Sequence, residues 1–266
     1  MIDRLKTGII QHRNMEGISQ IDYFVYIPES YQGDNQILYT IHGISRNAEE
    51  HIQGFISQAE RRGTILIAPL FLKENSPRYQ QLGTNSQQQR ADMAFDRVLQ
   101  DVQEWLNLPP APMRIFGFSG GGQFVHRYAM FYPKRVARMV LAAPGWYTFP
   151  DPDRKYPYGL KSTKDWPKLK FSLEKFLQIP TMVMTGEVDD LRDKDLNKVR
   201  EIDSFQGLNR IERAERWINA NRNLARAYNI SANFLLESIP NASHNYESYM
   251  GHPPFAERIF DFLFAE

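Results

Sequence analysis

Residues 115 to 122 read Ile-Phe-Gly-Phe-Ser-Gly-Gly-Gly, an apolar run that stops at Ser119 among glycines and passes into a helix-like stretch, Gln123 to Tyr132. A serine hydroxyl presented at the tip of a sharp strand-to-helix turn is placed to act as a nucleophile, and such a turn forces strained backbone angles and close approach of neighbouring chain. The positions two before and two after the serine must then be nearly free of side chain, and Gly117 and Gly121 fill them. At neutral pH the hydroxyl also needs a histidine base, and the histidine needs an acid that fixes its tautomer and stabilises the imidazolium.

His126 lies within the helix that follows Ser119, and beyond it the chain has only His244 and His252. His244 follows a strand-like run, Ala232 to Ile239, and so falls on a loop, whereas His252 precedes Pro253-Pro254 like a helix-entry residue. His244 is the expected base. The acid is expected just past the buried strand-like run Pro180 to Thr185, in Gly186-Glu187-Val188-Asp189-Asp190. A Gly-x-x-Asp turn is tight enough to aim its aspartate back across the sheet edge, which favours Asp189 and leaves Asp190 and Glu187 as alternates. The developing oxyanion calls for two fixed N–H donors. One is the Gly120 amide, next after the nucleophile. The other is expected from the turn after the strand-like run Gln36 to Ile41, in His42-Gly43-Ile44-Ser45, and is assigned to Ile44. His42 then reads as a structural residue buttressing that turn.

In this order the Gly117–Gly121 elbow, the His42-Gly43 turn, the Gly186-x-x-Asp189 turn and the Ser243-His244 loop resemble the motifs of the α/β-hydrolase superfamily, in its serine esterase branch, over roughly residues 20 to 264. Within that branch the chain is similar to esterase, feruloyl esterase and polyhydroxybutyrate depolymerase-like proteins. The resemblance implies an α/β-hydrolase fold, a Ser-His-Asp catalytic triad with an oxyanion hole, ester cleavage through an acyl-enzyme, and no cofactor. The same apparatus also serves peptidases and acyltransferases, and a non-catalytic relative would keep the fold as a binding protein.

The elements that must position these residues are legible as alternating apolar runs and helical spacings. Ile21 to Pro28 alternates like an edge strand, Thr64 to Pro69 is a short apolar strand, and Met113 to Phe118 and Val136 to Ala143 supply further strands. Helical spacing marks Gln88 to Leu106, Leu208 to Tyr228 and Pro254 to Phe264. Such alternation implies crossover connections, a mostly parallel central sheet and helices on both faces. Ligands bind beyond the carboxyl ends of strands in such sheets, where Ile44, Ser119, Asp189 and His244 fall. Residues 145 to 178, rich in aromatics, interrupt the alternation and are expected to form a lid, with Trp146 and Tyr147 reaching substrate.

Composition fits one domain spanning residues 1 to 266. The chain is 42% hydrophobic, long enough to bury one large core. Its formal charge of +1 leaves no electrostatic footprint for nucleic acid. No apolar run approaches a membrane span, and Met1 to Lys6 lacks the apolar core of a secretory signal, which favours the cytoplasm. The absence of cysteine excludes disulfides, thiol catalysis and thiolate metal sites. Other motifs fail. Gly120-x-Gly122 is followed by Val125 where a dinucleotide fingerprint needs Gly or Ala, and no phosphate-loop Gly-Lys-Ser/Thr occurs. Asp193-x-Asp195-x-Asn197 starts like a calcium loop, but Lys198 replaces its glycine and Ser204 its glutamate, so it reads as a solvated helix lead-in. With His12, His51 and His126 scattered, no metal site is expected. The expected partner is a small-molecule ester.

Overall fold

The computed structural model describes residues 6–15, 21–33, 36–83, 90–164, 166 and 169–265. Strands β1 (Ile10–Met15), β2 (Ile21–Tyr26), β3 (Ile37–Ile41), β4 (Ile65–Leu70), β5 (Met113–Phe118), β6 (Val136–Ala142), β7 (Thr181–Gly186) and β8 (Phe234–Ile239) form one sheet in the order β1-β2-β4-β3-β5-β6-β7-β8. β2 runs antiparallel to both β1 and β4, and every pairing from β4 to β8 is parallel. The helices among the described residues are α1 (Ala48–Arg62), α2 (Ala91–Leu106), α3 (Gly120–Phe131), α4 (Leu173–Leu177), α5 (Arg200–Gln206), α6 (Arg210–Ala227), α7 (Tyr246–Met250) and α8 (Pro254–Leu263).

The strands read as continuous apolar runs because both faces of the sheet are covered. Successive side chains point to opposite faces, so Met113 and Ile115 of β5 enter one core while Phe116 and Phe118 enter the other. On β4, Ile65 and Ile67 divide from Leu66 and Ala68 in the same way. α2, α3 and α6 cover the first face with Phe95, Phe124 and Trp217, and α1 and α8 cover the second with Phe55 and Phe260.

The structure adds β1, α1 and the short helices α4 and α7 to the elements read from sequence. β1 lies outside β2, so Ile21–Tyr26 is not at the sheet edge. The text of β1, IQHRNM, hides a strand because its exposed edge carries polar residues on both sides of the pleat. α1 was not expected either, although its signals are present. Ile52, Phe55, Ile56 and Ala59 recur at helical spacing, Glu49 and Glu50 open the first turn, Arg61 and Arg62 close the last, and Gly63 ends it at φ +67°. Its abundant charge masks the narrow apolar stripe. The helical pattern over Gln88 to Leu106 appears as α2, with Gln88 and Gln89 outside the described residues.

Described residues of the aromatic connection 145–178 pack onto the body. Arg213 donates to the Gly145 carbonyl at 2.6 Å, Gln206 bonds both the Tyr147 amide and carbonyl at 2.8 Å, and the Trp217 indole donates to Thr148 at 2.8 Å. The remainder closes an aromatic cluster of Tyr156, Trp166 and Phe171 against Phe131 of α3. These contacts make the described part of the segment a packed connection.

α3 starts in tight backbone contact with β3. A Cβ on Gly121 would run into the Ile41 carbonyl oxygen, and one on Gly117 would lie 2.5 Å from the Gly121 carbonyl. Neither carbonyl can move without breaking the sheet or the helix. Gly121→Ala should therefore cost about 3 kcal/mol or more, whereas Gly33→Ala, at φ +85° with nothing within 4 Å, should cost only about 1 kcal/mol. Urea midpoints of the two variants against the parent check this.

Candidate active site

β5 ends at Phe118, and the chain turns into α3 through Ser119 at φ +51° and ψ −112°. This left-handed conformation costs a non-glycine residue about 1–3 kcal/mol. The Ser119 amide donates to Ala142 at 2.7 Å, and its carbonyl accepts from the Gln123 amide at 3.1 Å, so both flanks of the turn are held. Ser119 Oγ stands 3.0 Å from His244 Nε2, and His244 Nδ1 stands 2.9 Å from Asp189 Oδ2.

His244 sits between β8 and α7 with its ring stacked on Phe118 at 5.6 Å. Its loop is fastened to the acid's loop from several directions. The Glu187 amide donates to Ile239 at 2.9 Å, the Val188 amide to Ala242 at 3.2 Å, and the Glu187 carboxylate accepts from the Asn241 amide at 3.0 Å. The Asp189 amide closes the turn onto Gly186 at 3.1 Å, which buries Asp189 and leaves Glu187 and Asp190 exposed. His252 lies at the entry to α8, where its carbonyl accepts from Phe255 at 2.9 Å, and it does not line the cavity at Ser119.

Arg210 was not singled out by sequence. It opens α6, is fully buried, and its Nη1 donates to Asp189 Oδ1 at 3.1 Å and to Asp193 Oδ2 at 2.8 Å. The two oxygens of Asp189 thus serve a histidine and an arginine, which fixes the carboxylate plane. Burial pushes the Asp193 carboxyl up, but the Arg210 guanidinium and the amides of Asp195 and Leu196 outweigh it and hold it at about 2. The Asp193–Asn197 stretch is a lead-in to α5 as expected, with Asp193 committed to this ion pair. Among the described residues no cluster of side chains could hold a metal ion.

The Gly43-Ile44 turn abuts the start of α3. A Cβ on Gly120 would lie 3.4 Å from the Ile44 nitrogen and 2.7 Å from the Tyr79 hydroxyl. Gly120 is the first residue of α3, so its N–H has no acceptor within its own helix. His42 supports this turn. Its Nε2 accepts from the Phe71 amide at 3.0 Å, which leaves the proton on Nδ1, 2.7 Å from the Gly43 carbonyl. Tyr79, another residue sequence reasoning missed, donates to the His42 carbonyl at 2.8 Å.

A cavity of about 740 Å³ opens in front of Ser119 and His244. Gly43, Ile44 and Asn47 form one side, Glu50 and Gly54 of α1 another, and Asn245, Tyr246 and Met250 a third. Trp146 and Tyr147 are not among its lining residues, which corrects the expectation that they reach substrate. Trp146 is 4% exposed, with the Arg127 guanidinium 4.2 Å from its ring, and Tyr147 is stacked on Trp217 at 4.9 Å. Their aromatic surface is consumed by the buried guanidinium and indole, a demand of packing that the composition of the segment does not reveal.

No protein-family model matches the chain, and no curated protein sequence does. Solved structures do. The chain is similar to poly(aspartic acid) hydrolase-1 from Sphingomonas sp. KT-1, with 26% identity and a TM-score of 0.81 over 96% of this chain and 98% of that one. It is similar to a poly(3-hydroxybutyrate) depolymerase from Bordetella parapertussis, with 25% identity and a TM-score of 0.78 over 91% and 84% of the two chains. A bacterial heroin esterase, 17% identical with a TM-score of 0.57 over 98% and 87%, shares the fold. The architecture is that of the α/β-hydrolase superfamily, and neighbours of this kind support a hydrolase.

Burial pushes the histidine His42 down to about 4, and pushes His51 and His126 well below their ordinary value. Each is neutral in the folded protein and takes up a proton near pH 6.5 when unfolded, so below pH 6.5 the unfolded chain binds more protons and stability falls with pH. For His42 the loss runs from pH 6.5 down through about 4 and amounts to on the order of 3 kcal/mol. The melting temperature should begin to drop near pH 6, before carboxylates titrate. A flat melting temperature between pH 7 and 5 would contradict neutral burial of these rings.

Proposed function

We propose that this α/β-hydrolase is a serine hydrolase that cleaves carboxylic esters of small molecules through an acyl-enzyme intermediate. The observation that carries the proposal is the hydrogen-bonded line from Ser119 Oγ through His244 to Asp189, at 3.0 and 2.9 Å, opening on a cavity. Ser119 Oγ attacks the ester carbonyl as His244 Nε2 takes its proton, and Asp189 keeps Nδ1 protonated and offsets the imidazolium charge. The carbonyl oxygen becomes anionic between the amides of Gly120 and Ile44. Collapse expels the alcohol, which takes the proton from His244, and leaves Ser119 acylated. A water then gives its proton to His244 and attacks the acyl group, and His244 returns that proton to Ser119 Oγ as the acid is released. Every charge in this cycle is met by this chain's own groups, so the proposal includes no cofactor.

A second reading, amide cleavage by the same groups, is favoured by the neighbour named as a poly(aspartic acid) hydrolase, since that polymer is a polyamide. Matched ester and anilide substrates of one acid separate the two readings by kcat/KM.

Ser119→Ala should abolish labelling by a fluorophosphonate probe and lower para-nitrophenyl acetate hydrolysis by roughly 10⁴-fold or more. Labelling that survives in a folded Ser119→Ala protein would place the nucleophile elsewhere. For the acid, Asp189→Asn should lower kcat by roughly 10³- to 10⁴-fold because the amide favours the wrong histidine tautomer, and Asp190→Asn should cost well under tenfold. Kinetics of the two variants side by side decide between the carboxylates.

A further inference from the structure

The cavity in front of Ser119 carries carboxylates from three separate elements: Glu50 on α1, Glu247 on α7, and Asp195 on the loop after β7. Among the described residues no lysine or arginine lines it. Among the described residues, none of the three takes part in an ion pair. Asp193 is matched by Arg210 at 2.8 Å and Asp203 by Arg192 at 2.7 Å, whereas Glu187 and Asp190, which do not line the cavity, have no ion pair among the described residues. Neither Arg46 nor Lys194, close in sequence to Glu50 and Asp195, is among the lining residues. Arg46 lays its guanidinium 5.3 Å from the Tyr79 ring.

This negative lining does not follow from a generally acidic chain, because the formal charge of the whole is +1. The cavity is placed as a substrate site on independent grounds, since Ser119 and His244 form part of its wall. Carboxylates around a concave, low-dielectric site focus their field into it.

We propose that the substrate of this site carries a positive charge, an ammonium or guanidinium group, near its scissile bond, and that Glu50, Asp195 and Glu247 are the residues that select for it. The proposal rests on the ester-hydrolase reading above and narrows its substrate class. It separates this chain from the neighbour named for poly(aspartic acid), whose polyanion would bring carboxylates against carboxylates here.

The test uses two matched sets of substrates. One varies the leaving group: acetylthiocholine, its uncharged carbon isostere S-(3,3-dimethylbutyl) thioacetate, and the anionic 3-(acetylthio)propanoate. The chain has no cysteine, so thiol release is followed directly. The other varies the acyl group: para-nitrophenyl 4-(trimethylammonio)butanoate against para-nitrophenyl 5,5-dimethylhexanoate. At about 10 mM salt, where the Debye length is roughly 30 Å, at least one set should show kcat/KM for the cation on the order of tenfold above its neutral isostere. The preference should shrink severalfold in 0.5 M salt. The ratio should approach one in the triple variant Glu50→Gln, Asp195→Asn, Glu247→Gln. Equal kcat/KM for cation and neutral isostere in both sets overturns the inference and leaves the ester reading standing, and so does a preference that survives both high salt and the triple variant. Turnover of none of these substrates, together with no labelling of Ser119, overturns the ester reading and the inference with it. The salt series on the parent protein decides the matter even if the triple variant fails to fold.

Discussion

The left-handed turn at Ser119 is the constraint on which the rest of the site depends. A φ of +51° at a serine is unfavourable on its own, and the surroundings impose it. The Ser119 amide is tied to β6, and α3 begins so close to β3 that Gly121 has no room for a side chain beside Ile41. The same approach sets Gly120 against Ile44, so the turn that exposes the hydroxyl also brings the amides of 44 and 120 near one another. Removing space at either glycine would shift the Ser119 hydroxyl and these amides together. The buried neutral ring of His42 and the Tyr79 hydroxyl, packed behind the turn, keep the Gly43-Ile44 segment from relaxing away from it.

Buried arginines hold the other loops that meet this turn. Arg210 joins the acid's turn to the start of α6, and Arg213, one turn later, ties carbonyls of residues 145, 197 and 207 and the carboxylate of Asp203. Arg127 sits under Trp146 with the carbonyls of Gln80 and Gln123 and the Thr148 hydroxyl as acceptors, and burial without a carboxylate pushes it down to about 10. A guanidinium with several fixed donors satisfies several loop carbonyls at once, which no lysine could do. Irregular chain that would otherwise bury unpaired carbonyls is thereby made compatible with a dry interior.

What was legible in the sequence is what local sterics dictate. Gly117 and Gly121 flank Ser119 because a backbone clash forbids anything larger, and the apolar runs of β3 to β8 reflect coverage on both faces. Asp189 falls in the tight turn on Gly186, a relation of near neighbours in the chain. Features set by distant contacts were not legible. Arg210 reaches Asp189 from another element, and nothing in its own helix marks it for that pairing. The aromatic residues 146 and 147 sit just after a strand that ends at the site, so proximity in sequence pointed to the cavity, whereas their rings turn toward Arg127 and Trp217. α1, hidden by its charges, was missed along with the cavity wall that it supplies through Glu50 and Gly54.

That missed wall bears on how the two sets of carboxylates around Ser119 differ. Asp189 and Asp193 share one buried guanidinium, which offsets one of their two negative charges. Glu50, Asp195 and Glu247 are exposed and have no such cationic partner among the described residues, Glu50 accepting from Asn47 Nδ2 at 2.6 Å. A group entering the cavity meets their field directly. Asp189 and Asp193 act from behind the cavity wall, where Asp189 bonds His244, and the rim acids face what approaches. Because the two sets stand on different elements, α1 and α7 for two of the rim acids and the Gly186 turn for Asp189, the charge preference of the cavity can change by substitution without disturbing the hydrogen-bonded line from Ser119 to Asp189.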